Sequence, residues 1–195
     1  MNTRSRLIRV DGQWIPGAYL GKGLFTTAYR YGDTVYLLTN EDYSKEAIAL
    51  FADQSLTHVP KIRRHEDWKH YQVYSMPFYQ RLTKKDHPKA YVQYESLNTW
   101  GVAGAFSCYA WLSGHTGLSD TLKAALQSLL DAFSNYESDN LCLEFNKVNL
   151  GVDSNGDLVL RDVLFSRGAV REKLSGKKRK RAVVCLKPST GGILL

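Results

Sequence analysis

Short runs of alternating apolar and polar residues fill the first forty positions of the chain. They extend from Leu7 to Thr39, with turn signals at Asp11-Gly12, Pro16-Gly17 and residues 31–33. Runs of this kind, bounded by glycine, proline and aspartate, are typical of antiparallel strands. The sequence therefore predicts about three strands here, with Gly21-Lys22-Gly23 in the connection between two of them.

Helical spacing replaces this alternation after Asn40. The apolar residues that recur at that spacing are Tyr43, Ala47, Leu50 and Phe51. They predict a helix over about residues 41–53. Asn40 is a candidate cap, and Glu41 and Asp42 suit the first turn, where exposed backbone amides favour acidic groups.

Strand patterns return at residues 61–65 and 71–76, which predict a hairpin around residues 66–69. Pro77 ends the second strand, because proline cannot donate the next ladder hydrogen bond.

The second half of the chain is mainly helical in pattern. Residues 93–112 favour a helix, and residues 119–136 favour a buried helix that Ser119 caps. Residues 150–160 predict a small hairpin around the turn at 153–157.

This order of elements predicts an α+β chain with two lobes. The first, residues 1–77, holds an antiparallel sheet and one helix. The second, residues 78–170, is mainly helical with a small hairpin and contains the segment 144–149. Residues 171–195 form a basic C-terminal segment.

Charge is concentrated at that C-terminal end. Residues 171–181 carry +6 of the chain's formal net charge of +7, and the five consecutive cations are Lys177, Lys178, Arg179, Lys180 and Arg181. A basic patch of this kind attracts acidic protein surfaces or phosphate backbones. The sequence leaves a solvated basic tail and a binding patch as alternatives.

Composition indicates a cytoplasmic protein. The sequence has no apolar run long enough for a membrane span and no apolar core behind its basic N-terminus, which argues against a secretory signal. Its cysteines, Cys108, Cys142 and Cys185, are far apart and odd in number, which fits a reducing compartment.

Two segments carry residue types that suit phosphate chemistry. In Gly21-Lys22-Gly23, the two glycines let backbone amides approach a phosphate closely. In the second half, Glu144 precedes Asn149 by five residues, and Asp162 follows the small hairpin. Phosphoryl transfer uses a carboxylate to orient the attacking hydroxyl, and an amide and a second carboxylate to hold magnesium.

Taken together, these segments resemble a protein kinase. They are most similar to the small early serine/threonine kinases of short-tailed lytic bacteriophages (podovirus, autographivirus type). The likeness covers about residues 15–167 and includes Phe25-Thr26-Thr27-Ala28-Tyr29 after the glycines and Asp162-Val163-Leu164 in place of Asp-Phe-Gly. It implies a minimal two-lobed kinase-like fold, ATP and Mg²⁺ as cofactors, Gly21, Lys22, Gly23 and Glu46 at the nucleotide, Asn149 and Asp162 at the metal, and Glu144 at the position of the base.

The chain departs from the kinase pattern at key positions. Leu37 stands where a phosphate-binding lysine is expected, which leaves Glu46 without its usual partner. Glu144 replaces the usual catalytic aspartate, and Cys142 and Leu143 replace the usual histidine and arginine before it. The residues that follow Asp162 are too few for an ordinary activation segment and peptide platform.

These departures favour a pseudokinase-like protein in the host cytoplasm that binds and modulates a host transcription, RNA-processing or defence protein. One alternative is an active, divergent serine/threonine kinase, with Lys22 as a substitute phosphate contact. A second is a nucleic-acid-binding module that uses residues 177–181.

Overall fold

The computed structural model describes residues 5–40, 43–98, 102–114, 117–134 and 141–174. Within them the chain is a mixed α+β protein with a six-stranded antiparallel sheet, two smaller sheets and five helices. The strands are β1 (Ser5–Val10), β2 (Gln13–Lys22), β3 (Thr26–Tyr31), β4 (Thr34–Thr39), β5 (Arg63–Arg64), β6 (Gln72–Pro77), β7 (Val102–Gly104), β8 (Leu141–Glu144), β9 (Gly151–Val152), β10 (Leu158–Val159) and β11 (Leu164–Ser166). The helices are α1 (Tyr43–Phe51), α2 (Pro88–Asn98), α3 (Ala105–Gly114), α4 (Asp120–Ser134) and α5 (Arg167–Leu174).

The large sheet has the order β1-β2-β3-β4-β6-β5. Strands β1 to β4 follow one another as neighbours, so the sequence prediction of antiparallel strands is confirmed, with four strands in place of about three. After β4 the chain forms α1 and then adds β6 beside β4. The predicted hairpin around 66–69 is also confirmed, since β5 pairs with β6 and Trp68 bridges to Tyr71.

Tight turns lie where small or polar residues tolerate a left-handed backbone. Asp11 and Gly12 have φ of 46° and 82°, and Gly32 has φ of 59°. The predicted turn at Pro16-Gly17 is wrong, because both residues lie inside β2. A Cβ on Gly17 would come within 2.8 Å of the Tyr29 Cβ, so this glycine permits close packing between strands.

The sheet is covered on both faces by apolar side chains. One face contributes Ile8, Tyr29, Leu38 and Val73 to a small cluster. The other contributes Val35, Leu37, Tyr74 and Met76 to the main core, which continues through α1, α4 and the strands of the second half. The sheet and the helical half therefore share one hydrophobic core.

Helix α1 presents a different face to this core than the sequence pattern indicated. Its buried residues are Ser44, Lys45, Ala47 and Ile48. Leu50 and Phe51, which were expected on the buried face, are 57% and 45% exposed. The predicted first turn at Glu41 and Asp42 lies outside the described residues.

The helices of the second half agree with the sequence in part. Ser119 caps α4, because the Leu122 N–H donates to its Oγ at 3.3 Å and the Lys123 N–H donates to its carbonyl at 3.0 Å. The single helix predicted over 93–112 is wrong. Helix α2 ends at Asn98. The next described residues form β7, which pairs with β8, and α3 begins only after that strand.

The small hairpin is joined to Tyr79 and Gln80, in the connection that follows β6. Strands β9 and β10 pair across a turn in which Gly156 has φ of 80°, as the sequence predicted. Gln80 and Val152 exchange two backbone hydrogen bonds of 2.8 and 3.0 Å. A Cβ on Gly151 would lie 2.5 Å from the Tyr79 Cβ, so the hairpin packs directly on the connection.

None of the helices in the described part of the chain combines the length and apolar character that crossing a bilayer requires.

Candidate functional site

Glu144 and Asn149 lie at the two ends of one short loop. Glu144 is the last residue of β8, and residues Lys147–Asn149 form a single 3-10 turn. Asn146 caps that turn by accepting a hydrogen bond from the Val148 N–H at 3.4 Å. The turn brings the Asn149 amide back to Glu144, and its Nδ2 donates to Glu144 Oε2 at 3.2 Å.

Backbone hydrogen bonds fix Asp162 beside this loop. The Asp162 N–H donates to the Asn149 carbonyl at 2.8 Å. The Glu144 N–H donates to the Val163 carbonyl at 2.7 Å, immediately before β11 pairs with β8. The structure therefore brings together Glu144, Asn149 and Asp162, which the sequence analysis had grouped by spacing alone.

A fourth residue, Lys45, completes this group from helix α1. Its side chain is 3% exposed, and its ammonium forms an ion pair with Asp162 Oδ1, whose side chain is 48% exposed. The ammonium also donates to Ser44 Oγ at 3.2 Å. We call Lys45, Glu144, Asn149 and Asp162 the polar cluster.

Sequence reasoning missed Lys45 because it assigned the wrong buried face to α1. A signal was present, since Lys45 precedes Ile48 by three residues and residues at that spacing share a helix face. A lysine on a buried face requires a charged partner. That partner, Asp162, lies 117 residues further along the chain.

The remaining sequence-predicted residues lie apart from these contacts. Leu37 is 3% exposed in the main core, between Ala28 on β3 and Tyr74 on β6. Glu46 is half-buried and forms no ion pair within the described part of the chain. An apolar side chain thus fills the position where the resemblance implies a lysine.

The glycine turn is open to solvent. The prediction that all three residues lie in the connection is wrong, because Gly21 and Lys22 end β2 and pair with Ala28 and Thr27 of β3. Only Gly23 lies beyond β2, and its N–H donates to the Thr26 carbonyl at 2.8 Å. Lys22 is exposed and makes no side-chain hydrogen bond or ion pair with any other described residue. The predicted basic patch, residues 177–181, lies outside the described residues.

Neighbouring side chains hold the loop of the polar cluster in place. Arg161 donates a hydrogen bond to the Val148 carbonyl. Burial lowers the pKa of Arg161, while the adjacent Asp162 acts in the opposite direction. Lys147 donates to Tyr91 Oη at 2.8 Å, and this hydrogen bond raises the pKa of the lysine. The loop is therefore anchored to the hairpin end on one side and to α2 on the other.

The two residues before Glu144 lie in an apolar, buried environment. Cys142 and Leu143 are 2% and 1% exposed within β8. Burial raises the pKa of the Cys142 thiol, which disfavours the reactive thiolate form.

The polar cluster provides the oxygen ligands that magnesium prefers. Asp162 offers a half-exposed carboxylate, and the Asn149 amide uses its nitrogen toward Glu144, which leaves the amide oxygen as its ligating atom. Among the described residues, no group of three or more histidine, cysteine or acidic side chains is arranged around a common metal position. Two protein ligands suit a magnesium ion that arrives with phosphate oxygens, because such ions are commonly bound by one or two protein oxygens plus the substrate phosphates.

Neither protein-family models, nor curated proteins, nor solved structures give a significant match to this chain.

Proposed function

We propose that this chain is a kinase-like protein that binds a magnesium–nucleotide complex at the polar cluster and transfers its phosphoryl group inefficiently. The observation that carries the proposal is the convergence of Asn149 and Asp162 with Glu144 around one loop, through contacts of 2.8 and 3.2 Å. An amide, a metal-binding carboxylate and a further carboxylate are the groups on which phosphoryl transfer to a hydroxyl depends.

The order of the elements supports the same proposal. A strand-turn-strand with two glycines is followed by a third strand, β4, and then by helix α1. In protein kinases the third strand carries a lysine and the helix a glutamate, and the two form an ion pair. Here the strand position is Leu37, and the helix contributes a cation in place of an anion.

Three residues of the polar cluster have roles in this proposal. Asp162 and Asn149 would hold the metal ion, which supplies charge neutralisation for the phosphates. Glu144 would orient the hydroxyl that receives the phosphoryl group, with its carboxylate held by the Asn149 amide at 3.2 Å. The longer glutamate side chain displaces this carboxylate relative to an aspartate, and a displacement near 1 Å costs about a hundredfold in rate.

Inefficient transfer agrees with the apolar surroundings of the cluster. Leu37 cannot contact a phosphate, and the residues before Glu144 are buried in a sheet. The biological effect of such a protein would come from binding a host protein, as the resemblance to the phage kinases implies.

Nucleotide binding is tested by the thermal stability of the purified protein with ATP, with and without magnesium. Ligand at a hundred times its dissociation constant stabilises the folded state by about 2.7 kcal/mol. We expect magnesium–ATP to raise the melting temperature of the wild type and of the control N155A, whose side chain lies exposed in the hairpin turn. The same ligand should stabilise N149A much less. Equal responses of N149A and N155A would contradict the proposed site.

Transfer is tested separately with ATP labelled in the γ-phosphate and a host lysate. We expect weak labelling that disappears in E144Q, while ATP binding to E144Q persists. Rapid, Glu144-dependent labelling would favour the active kinase, and magnesium–ATP binding without any labelling would favour a purely binding protein.

A further inference from the structure

The polar cluster contains a cation whose position is unusual for a lysine. Lys45 is 2% exposed and belongs to the buried face of α1, whereas lysines ordinarily keep their ammonium groups in water. Its partner, Asp162, is the residue to which the proposed function assigns the metal ion. The inference that follows rests on that proposed function.

We propose that Lys45 is the phosphate-binding cation of this protein, supplied by helix α1 in place of the strand lysine that Leu37 replaces. A magnesium ion that Asp162 holds would also contact the nucleotide phosphates. The Lys45 ammonium contacts the same carboxylate, so it lies next to the place where phosphate oxygens would be. A lysine ammonium has three N–H donors and a flexible four-carbon stem, so it can turn from the carboxylate to a phosphate.

Burial makes Lys45 a better phosphate ligand than Lys22. Lys22 is exposed on the glycine turn, where water screens its charge. Lys45 lies where little water surrounds it, and the attraction between two charges is several times stronger in such surroundings.

The ion pair with Asp162 has a plain explanation in this proposal. In the nucleotide-free protein, the carboxylate compensates a buried ammonium that would otherwise be costly. With the nucleotide bound, Asp162 would hold the metal ion and the Lys45 ammonium would contact the phosphates. The competing explanation is that Lys45 only neutralises Asp162 and never contacts a ligand.

The experiment compares magnesium complexes of ATP, ADP and AMP by isothermal titration with four proteins. These are the wild type, K45M, K45R and the control K85M, which changes an exposed lysine away from the polar cluster. We expect K45M to bind ATP and ADP about tenfold to hundredfold more weakly, the range for losing one charged contact. Binding of AMP should change by less than about twofold, K45R should keep most of the affinity, and K85M should match the wild type.

A second measurement uses the unaltered protein and so does not depend on the folding of K45M. An acyl-phosphate derivative of ATP transfers its acyl group to an amine beside the phosphates, which forms an amide and releases ATP. Digestion and mass spectrometry should then locate the acyl group on Lys45, and excess unmodified magnesium–ATP should prevent the labelling. Labelling on Lys22 without labelling on Lys45 would overturn the proposal.

The outcomes separate the two proposals. If the wild type binds no magnesium–ATP, the proposed function fails and this inference fails with it. If the wild type binds and K45M binds equally well, only the role of Lys45 is overturned, and the competing explanation is correct.

Discussion

Charge removal at the two ends of the Lys45–Asp162 ion pair should have unequal effects on stability. The two partners differ in exposure, since the Lys45 side chain is 3% exposed and that of Asp162 is 48% exposed. The substitution D162N removes the Asp162 carboxylate from a buried ammonium. The substitution K45M leaves a carboxylate that water already solvates, and it replaces the lysine stem with an apolar side chain of similar length.

The magnitude follows from the costs of unpaired charges. Removing one partner of a fully buried pair typically costs about 3–5 kcal/mol, because the other charge stays buried alone. The exposure of Asp162 and the oxygen that asparagine retains reduce this cost, so we expect the free energy of unfolding of D162N to fall by about 2 kcal/mol. In a chain of 195 residues this corresponds to a fall of roughly 4–8 °C in melting temperature. For K45M we expect a change within about 0.5 kcal/mol, as for a well-packed replacement of a charge.

The assay is urea denaturation of the wild type, the two single variants and the double variant K45M/D162N, which together form a double-mutant cycle. The double variant should recover most of the stability that D162N loses, because it no longer buries an ammonium that has lost the Asp162 carboxylate. A loss in K45M as large as that in D162N would refute the reasoning, and so would a double variant whose loss equals the sum of the single losses.

Two further predictions concern regions outside the polar cluster. The free energy of unfolding of G151A should fall by about 1–3 kcal/mol, because the added Cβ would lie 2.5 Å from the Cβ of Tyr79. In the control G21A the added Cβ has nothing within 4 Å, so this variant should melt like the wild type. Equal melting temperatures of the two variants would contradict the predicted clash with Tyr79. The hydrogen bond between Asp11 and His65 lowers the pKa of the Asp11 carboxyl. A lowered folded-state pKa means that the stabilisation is present above the unfolded-state pKa and is lost as pH falls through the folded-state value. Because Asp11 is exposed, we expect D11N to be less stable than the wild type by only a few tenths of a kcal/mol at about pH 6. At about pH 2 the two proteins should be equally stable. A difference in stability that widens in acid would contradict a stabilising role for the Asp11 carboxylate.

Local patterns in the sequence predicted much of the fold. Strand alternation, the capped helix α4 and the hairpin around Gly156 depend on neighbouring residues, so they could be read from short windows. Glu144, Asn149 and Asp162 also lie close together, as their spacing in the sequence indicated, because a short loop and a tight hairpin leave few ways to arrange them.

The features that the sequence did not predict depend on distant partners. Helix α1 has apolar residues on two faces, and the face with Ala47 and Ile48 packs into the core, where Asp162 compensates the charge of Lys45. Strand β7 interrupts a helical pattern because β8 offers it backbone partners. Pro16-Gly17 has the composition of a turn, yet it lies within β2 because Tyr29 packs against the glycine.

The shared core has a consequence for how such a protein can change over time. Side chains from β4, α1, α4 and β10 fill the same apolar interior, so neither half has a finished surface of its own. A fragment that contained only the sheet would expose a large apolar surface to solvent and would be prone to aggregate. Recombination that replaced only one half would therefore disrupt the shared core. We expect the two halves to be exchanged together.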